Sequence, residues 1–214
     1  MDLEPPADPA ERDWFVVSRW QEYDGERRAN LLRSGVLAAF YLVELVNRYG
    51  LRLGPLHAAP LEGVTADFHL TVTVLTAAWI LTSWGVLVLL REKVFPPVLK
   101  YLSTTLDVVF LSAVLSVADG PRSPLVSCYL LLVCLAGLRM SLGLVRAAAV
   151  LGCLGCFFVT FVTDVFRPAL AVPTTHLLLL LLSIASSAVL VGQIIRRSRS
   201  AAEDYAARRM KGSR

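Results

Sequence analysis

Charge is what this 214-residue chain has little of: only 18% of its residues are Asp, Glu, Lys or Arg, 56% are hydrophobic, and the mean hydropathy is +0.61. A soluble domain of this size has too small an interior to hide that apolar fraction from water. The composition therefore excludes the soluble classes and implies an integral membrane protein. Long polar segments are also missing. The first 30 residues and the last 18 or so are the longest polar stretches, and neither is long enough to form a catalytic domain with its own core. Chemistry is expected in or at the membrane, or on another chain.

Catalytic signatures are absent as well. The sequence holds no His-Glu-x-x-His, no Gly-x-Ser-x-Gly nucleophile elbow and no paired-aspartate motif of a phospholipid-headgroup transferase. The expectation is a non-enzymatic protein without a cofactor and without a nucleic-acid partner. The amino-terminal stretch MDLEPPADPAERDWF is acidic and proline-rich, and it lacks the basic start and small-residue cleavage site of a secretory signal.

Cysteine is scarce and placed where it cannot build a disulfide framework: Cys128, Cys134, Cys153 and Cys156 all lie inside apolar runs. Cys153-x-x-Cys156 has dithiol spacing, but a redox or zinc pair belongs at a loop or helix start in water. Packing accounts for it better. Ala148, Gly152, Cys156 and Thr160 form an i+4 row of small side chains, a face that lets membrane helices approach closely. Ser183 and Ser187, with Ala188 and Gly192, give the last apolar run comparable faces, and association into a homo-oligomer is the expectation.

What the chain has is apolar runs long enough to cross a hydrocarbon core of ~30 Å as helix. Six are expected, all-α, over about 31–47, 68–90, 97–118, 124–139, 146–163 and 174–195. They divide the chain into an amino-terminal segment 1–30, a six-helix transmembrane domain 31–196 and a basic tail 197–214. Lys and Arg set the orientation. Seventeen of them share a side with the amino terminus, including Arg139, Arg146 and seven from Arg196 onward, whereas only Arg48, Arg52, Arg122 and Arg167 fall on the other. Both termini are thus expected in the cytoplasm, in a bacterial inner membrane. Gly120, Pro121 and Pro124 in DGPRSPL mark a tight turn on the outer side, and RMSLGLVR, Arg139 to Arg146, an inner one.

Polar residues inside these runs are the candidate sites. Asp107 lies ten residues beyond Pro97, about 15 Å along the helix and close to the bilayer midplane. A carboxylate there costs about 2.5 to 3.5 kcal/mol on insertion scales, an amount the flanking apolar residues offset. Thr104, with Ser103, Thr105 and Ser112, supplies hydroxyls that could hydrogen-bond the carboxyl or a neighbouring helix. Two readings stay open: a protonated carboxyl buried in a helix interface, or a group that answers to a proton or ligand. Glu44 is expected to pair with Arg48 at i+4, and Arg33 and Arg48 to snorkel to opposite surfaces. His57, His69 and His176 fall on the outer side with Asp67, Asp119 and Asp164, but their spacing specifies no metal site.

The ends suggest membrane-surface contact. DWFVVSRWQEYDGERR mixes Trp14, Phe15, Trp20 and Tyr23 with charges, as an interfacial helix does. Arg139, Arg196 and Arg197 are read as interfacial anchors, and the tail as attracted to anionic lipid or to a cytoplasmic signalling partner.

Three stretches carry a resemblance: WQEYDGERRANLLR (Trp20 to Arg33), FHLTVTVLTAAW (Phe68 to Trp79) and KYLSTTLDVVFLSAVLSVADGPRSPLVSCYLLLVCLAGLR (Lys100 to Arg139). The chain resembles, over roughly residues 20 to 195, the six-helix amino-terminal membrane region of bacterial signalling proteins such as sensor histidine kinases and membrane-anchored nucleotide cyclases. It departs from them in having no kinase ATP-binding box, cyclase metal core or P-loop. The resemblance implies a sensory or anchoring module, stand-alone or one that lost its effector, and carries over no ligand or catalytic residue. The alternative reading is a small proton-coupled transporter using Asp107 and Glu44.

Overall fold

The computed structural model describes the backbone of residues 9–53, 56–58, 65–92, 96 and 98–212, and the side chains of 23–51, 65–92, 96 and 98–201. Six α-helices account for nearly all of it: α1 Pro9–Tyr49, α2 Ala66–Arg91, α3 Leu99–Val117, α4 Cys128–Leu138, α5 Leu142–Phe166 and α6 Thr174–Gly212. Five of them contain stretches long and apolar enough to cross a membrane: Tyr23–Tyr49, Ala66–Arg91, Leu99–Val117, Leu142–Phe166 and Thr174–Ala201. Pro124–Leu138 is a shorter apolar helical segment, so the chain is a multi-pass membrane protein.

Two of these helices depart from the lengths expected. The first apolar run, expected from about residue 31, belongs to a helix already continuous from Pro9. The charges of WQEYDGERRANLLR hid that start: Glu26 and Arg33 are neutralised by partners on other helices, and Asp24 and Arg28 pair along α1 itself. The turn between α4 and α5 is confined to Arg139–Ser141, where Met140 takes a left-handed φ of 51°. Its carbonyl accepts a hydrogen bond from Arg199 Nη2 at 2.7 Å, which ties α6 to this turn.

The chain has two dissimilar ends. One carries the α4–α5 turn, the amino-terminal part of α1 and the carboxy-terminal part of α6. The other carries the α3–α4 turn, the segment Arg167–Pro173 and a hairpin of two three-residue strands, β1 Leu51–Leu53 and β2 Leu56–Ala58, with Leu51 opposite Ala58. Here Gly120, at φ 57°, starts a 3₁₀ turn and packs against Thr163, Pro121 follows it, and Pro124 opens the 3₁₀ turn that feeds α4, as the sequence suggests. Arg167 closes the end of α3. Its guanidinium donates to the carbonyls of Val117 and Ala118 at 2.7 to 3.2 Å, which satisfies the open C-terminal carbonyls and complements the helix dipole.

Helix α4 is apolar all round and lies at the centre, packed on α1, α3, α5 and α6. Around it Leu115, Tyr129, Val133, Leu144, Ala148 and Ile184 are fully buried. The outward faces of α2 and α6 carry exposed Leu, Val and Ile side chains, as surfaces in contact with lipid do. The small-residue row of α5 faces inward at Ala148, Gly152 and Cys156, with Thr160 half-buried. Gly155, one turn from it, matters more: a Cβ there would lie 2.8 Å from Tyr129 Cε1 and Oη. At Gly152 the nearest atoms, on Ile184 and Tyr129, would be 3.8 Å away. On α6, Ser183 is exposed and bonds its own helix at Leu179 O, while Ser187 is half-buried.

These distances predict different outcomes for two neighbouring substitutions. Gly155→Ala displaces the Tyr129 ring and lowers stability by about 1 to 3 kcal/mol, as overpacking does. Gly152→Ala is near neutral. Thermal unfolding of the two variants in detergent distinguishes them, and equal midpoints would contradict this packing.

Candidate functional site

Polar side chains inside the bundle form a ladder that starts on one face of α1. Glu26, Asn30 and Arg33 are spaced by four and three residues, so they stand above one another, and all three are buried. Each finds a partner on another helix.

The first rung joins α1 to α3 and to the end of α4. Arg139 Nε lies 2.7 Å from Glu26 Oε2, and its Nη2 donates to Glu26 Oε1 at 2.9 Å. The remaining donors of the guanidinium reach Thr104 Oγ1 at 2.6 Å, Lys100 O at 3.1 Å and Ser103 Oγ at 3.1 Å. Arg139, read from sequence as an interfacial anchor, is only 2% exposed. Thr104 therefore serves Arg139, while its own hydroxyl donates to Lys100 O at 2.9 Å. It does not supply the hydrogen bond expected for Asp107. Thr105, for its part, bonds its own helix at Tyr101 O.

The second rung lies about 10 Å further along α1, seven residues on. Arg33 Nη2 meets Asp107 Oδ2 at 2.9 Å, and Trp79 Nε1 donates to Asp107 Oδ1 at 2.8 Å. Arg33 Nη1 donates to Asn30 Oδ1 at 2.8 Å, and Asn30 Nδ2 to Ser83 O at 2.9 Å. Trp79 and Asp107 each stand near the middle of α2 and α3, and Arg33 meets them there, so the pair lies at the centre of the bundle. The expectation that Arg33 snorkels to a surface is overturned: the earlier start of α1 places it inside, 4% exposed, facing a carboxylate. Asp107 is held by two other helices rather than by the hydroxyls of α3. Ser112 instead shares a 2.7 Å hydrogen bond with Tyr129. Trp79 is further fixed by stacking on Phe110, with ring centroids 5.8 Å apart.

Glu44 forms a third level. Its Oε1 lies 3.5 Å from His69 Nδ1, an electrostatic contact too long for a hydrogen bond, and the His69 ring meets Tyr49 edge-on at 5.8 Å. Between the second and third levels lies a partly open cavity of about 510 Å³ lined by α1, α2, α3 and α4. Arg33 and Trp79 form its floor. Leu37, Val72, Leu111 and Leu132 contribute apolar wall, and Glu44, Asn47, Asp119 and Arg167 stand towards the far end. Glu44 thus lines the far end of the cavity, while Asp107 does not line it and meets it only through its partners Arg33 and Trp79.

Other candidates stay apart. Arg196 and Arg197 are exposed on α6. Trp14 and Trp20 lie outside the residues whose side chains are described, as does His57. All four cysteines are free thiols. Among the described residues no three His, Cys, Asp or Glu side chains come together as a metal set. Sequence reasoning passed over Glu26, Asn30 and Trp79. The i, i+4, i+7 spacing of Glu26, Asn30 and Arg33 was the available signal, because a helix that buries one polar face requires matching charge elsewhere.

No protein-family model, curated protein or solved structure matches the chain.

The central rung has a defined energetic signature. Arg33→Leu strands the Asp107 carboxylate and lowers stability by about 3 to 5 kcal/mol. The double variant Arg33→Leu/Asp107→Leu recovers most of that loss. Trp79→Phe, which removes one hydrogen bond to a charged group, costs about 1.5 to 3 kcal/mol. Unfolding of the set in detergent gives the coupling energy, and additive losses would dissolve the pair.

Proposed function

We propose that the chain is a non-enzymatic input module of a bacterial signalling system, set in the inner membrane with both termini in the cytoplasm. The skew of seventeen Lys and Arg against four supports that orientation. The observation that carries the reading is the attachment of α1. Both buried ion pairs, Glu26–Arg139 and Arg33–Asp107, run from this one helix to the centre of the bundle. Helices α1, of 41 residues, and α6, of 39, are each about twice as long as the ~20 residues that cross a hydrocarbon core. A change at the cavity floor that alters the Arg33–Asp107 contact would therefore move a helix that reaches well past the membrane, where a partner can read it.

The geometry weighs against the transporter reading. A carrier carboxylate must exchange its proton with both sides in turn, whereas Asp107 is held by Arg33 and Trp79 together. Glu44, the other carboxylate of that scheme, lies about 16 Å further along α1, across an apolar wall.

Spin labels at Arg27→Cys and Ala201→Cys, both exposed, in a variant without the native cysteines, test the coupling. In the reconstituted full chain, Asp107→Asn is expected to shift the distance distribution between the labels by an ångström or more, the scale on which packed helices slide, roughly 1 to 2 Å. A distribution that stays fixed would leave the ladder as static packing and remove the signalling reading.

A further inference from the structure

Arg33 and Arg139 both carry a buried Nε without a hydrogen-bond partner, but only Arg33 lines the cavity between the second and third levels. Its Nη1 and Nη2 are engaged by Asn30 and Asp107, but its Nε is buried without a hydrogen-bond partner, on a side chain only 4% exposed. At Arg139 the Nε lies against Glu26 Oε2 at 2.7 Å. Arg33 lines the floor of the cavity of about 510 Å³. A buried N–H without an acceptor is costly, and the site that adjoins it is large enough for an organic molecule.

We infer that this cavity binds an uncharged lipophile whose carbonyl oxygen accepts a hydrogen bond from Arg33 Nε. The chemistry follows from the walls. The orphan group is a donor, so the ligand head must accept. The charge of Arg33 is already matched by Asp107, so a carboxylate head would add an unbalanced charge at the centre of the bundle and face Asp107 across a short distance. A neutral carbonyl adds none. From Arg33 the cavity runs past Leu37, Phe40 and Val114 towards Glu44 and Asn47, about 16 Å along α1, which suits an apolar chain or ring system directed away from the head. The same carbonyl chemistry is offered by a free ketone or quinone and by the acyl ester of a bilayer lipid. As the stimulus of a signalling module, such a ligand rests on the function proposed above; as a binding site it stands alone.

The test uses the full chain in detergent, with Trp14, Trp20 and Trp84 replaced by Phe so that Trp79 reports from the cavity floor. A 1,4-benzoquinone with a ten-carbon tail is the probe, and quenching of Trp79 gives its affinity. Saturable quenching is expected, reversed by 2-tridecanone and not by decanoate or dodecane. Displacement by added phosphatidylethanolamine, with one such lipid retained in native mass spectra, would assign the carbonyl to bilayer lipid; displacement by the ketone alone would assign it to a free lipophile. Arg33→Lys, which keeps the charge and removes the Nε–H, should weaken the probe about tenfold, the equivalent of one hydrogen bond. Val114→Phe fills the cavity without touching the ladder and should abolish saturable quenching, which keeps the inference testable if Arg33→Lys fails to fold. Quenching that is unsaturable, or unchanged in Val114→Phe, would overturn the site. Bound probe with no change in the Arg27–Ala201 label distance would retain the site and remove the signalling role. No binding, with labels still responsive to Asp107→Asn, would do the reverse.

Discussion

An arginine and an aspartate placed near the middle of a hydrocarbon layer tolerate each other's company and little else. Each alone would cost several kcal/mol to insert, and each removes most of the other's cost only when the two side chains meet with good geometry. The contact between Arg33 and Asp107 therefore fixes the register of α1 against α3. Trp79 extends the constraint to α2, since its indole must present the Nε1–H to the second carboxylate oxygen. Glu26 and Arg139 add a second fixed point on the same face of α1 and bring in the end of α4. Two rungs on one helix face determine both how far α1 slides and how it is rotated, which a purely apolar interface in lipid would leave weakly specified.

The need to neutralise these charges also explains features that otherwise look unrelated. The α4–α5 turn is tight and includes a left-handed Met140, which allows Arg139 to end α4 and point back into the bundle. The close approach of α1 to that point requires Gly25, where a Cβ would lie 2.7 Å from Leu138 O. Hydroxyls on α3 absorb the donors that Glu26 leaves unused, which is why this helix is rich in Ser and Thr near its start.

Much of the architecture was legible in the sequence because burial in lipid leaves a blunt signal. Runs of about 20 apolar residues mark spans, and Gly120, Pro121 and Pro124 mark the turn between α3 and α4. The start of α1 was not legible by that rule. Residues 23 to 33 carry Asp24, Glu26, Arg27, Arg28 and Arg33, and hydropathy alone cannot distinguish charges that face solvent from charges that face partners. Asp107 was recognisable by its depth, but its partners were not: Arg33 is 74 positions away and Trp79 is 28, so neither local spacing nor helical periodicity connects them. The same limit applies to Glu26 and Arg139, separated by 113 positions. Asn30 could have been joined to Glu26 and Arg33 by spacing, since a polar stripe needs no tertiary information to be seen.

The asymmetry of the ladder is the feature with most bearing on function. Towards the end with the α4–α5 turn, both terminal nitrogens of Arg139 have acceptors, its Nε lies 2.7 Å from Glu26 Oε2, and the helices close around it. Towards the other end, the four helices α1 to α4 separate around a cavity that reaches Arg33, the partner of Asp107. A structural ion pair needs no cavity beside it, and packing normally removes such a void because its walls forfeit dispersion contacts. Keeping the space next to one of the two charge contacts that position α1 makes that contact sensitive to whatever occupies the space. An occupant that bonds Arg33 Nε competes for the orientation of the same guanidinium that holds Asp107, so occupancy and the position of α1 become linked through a single planar group.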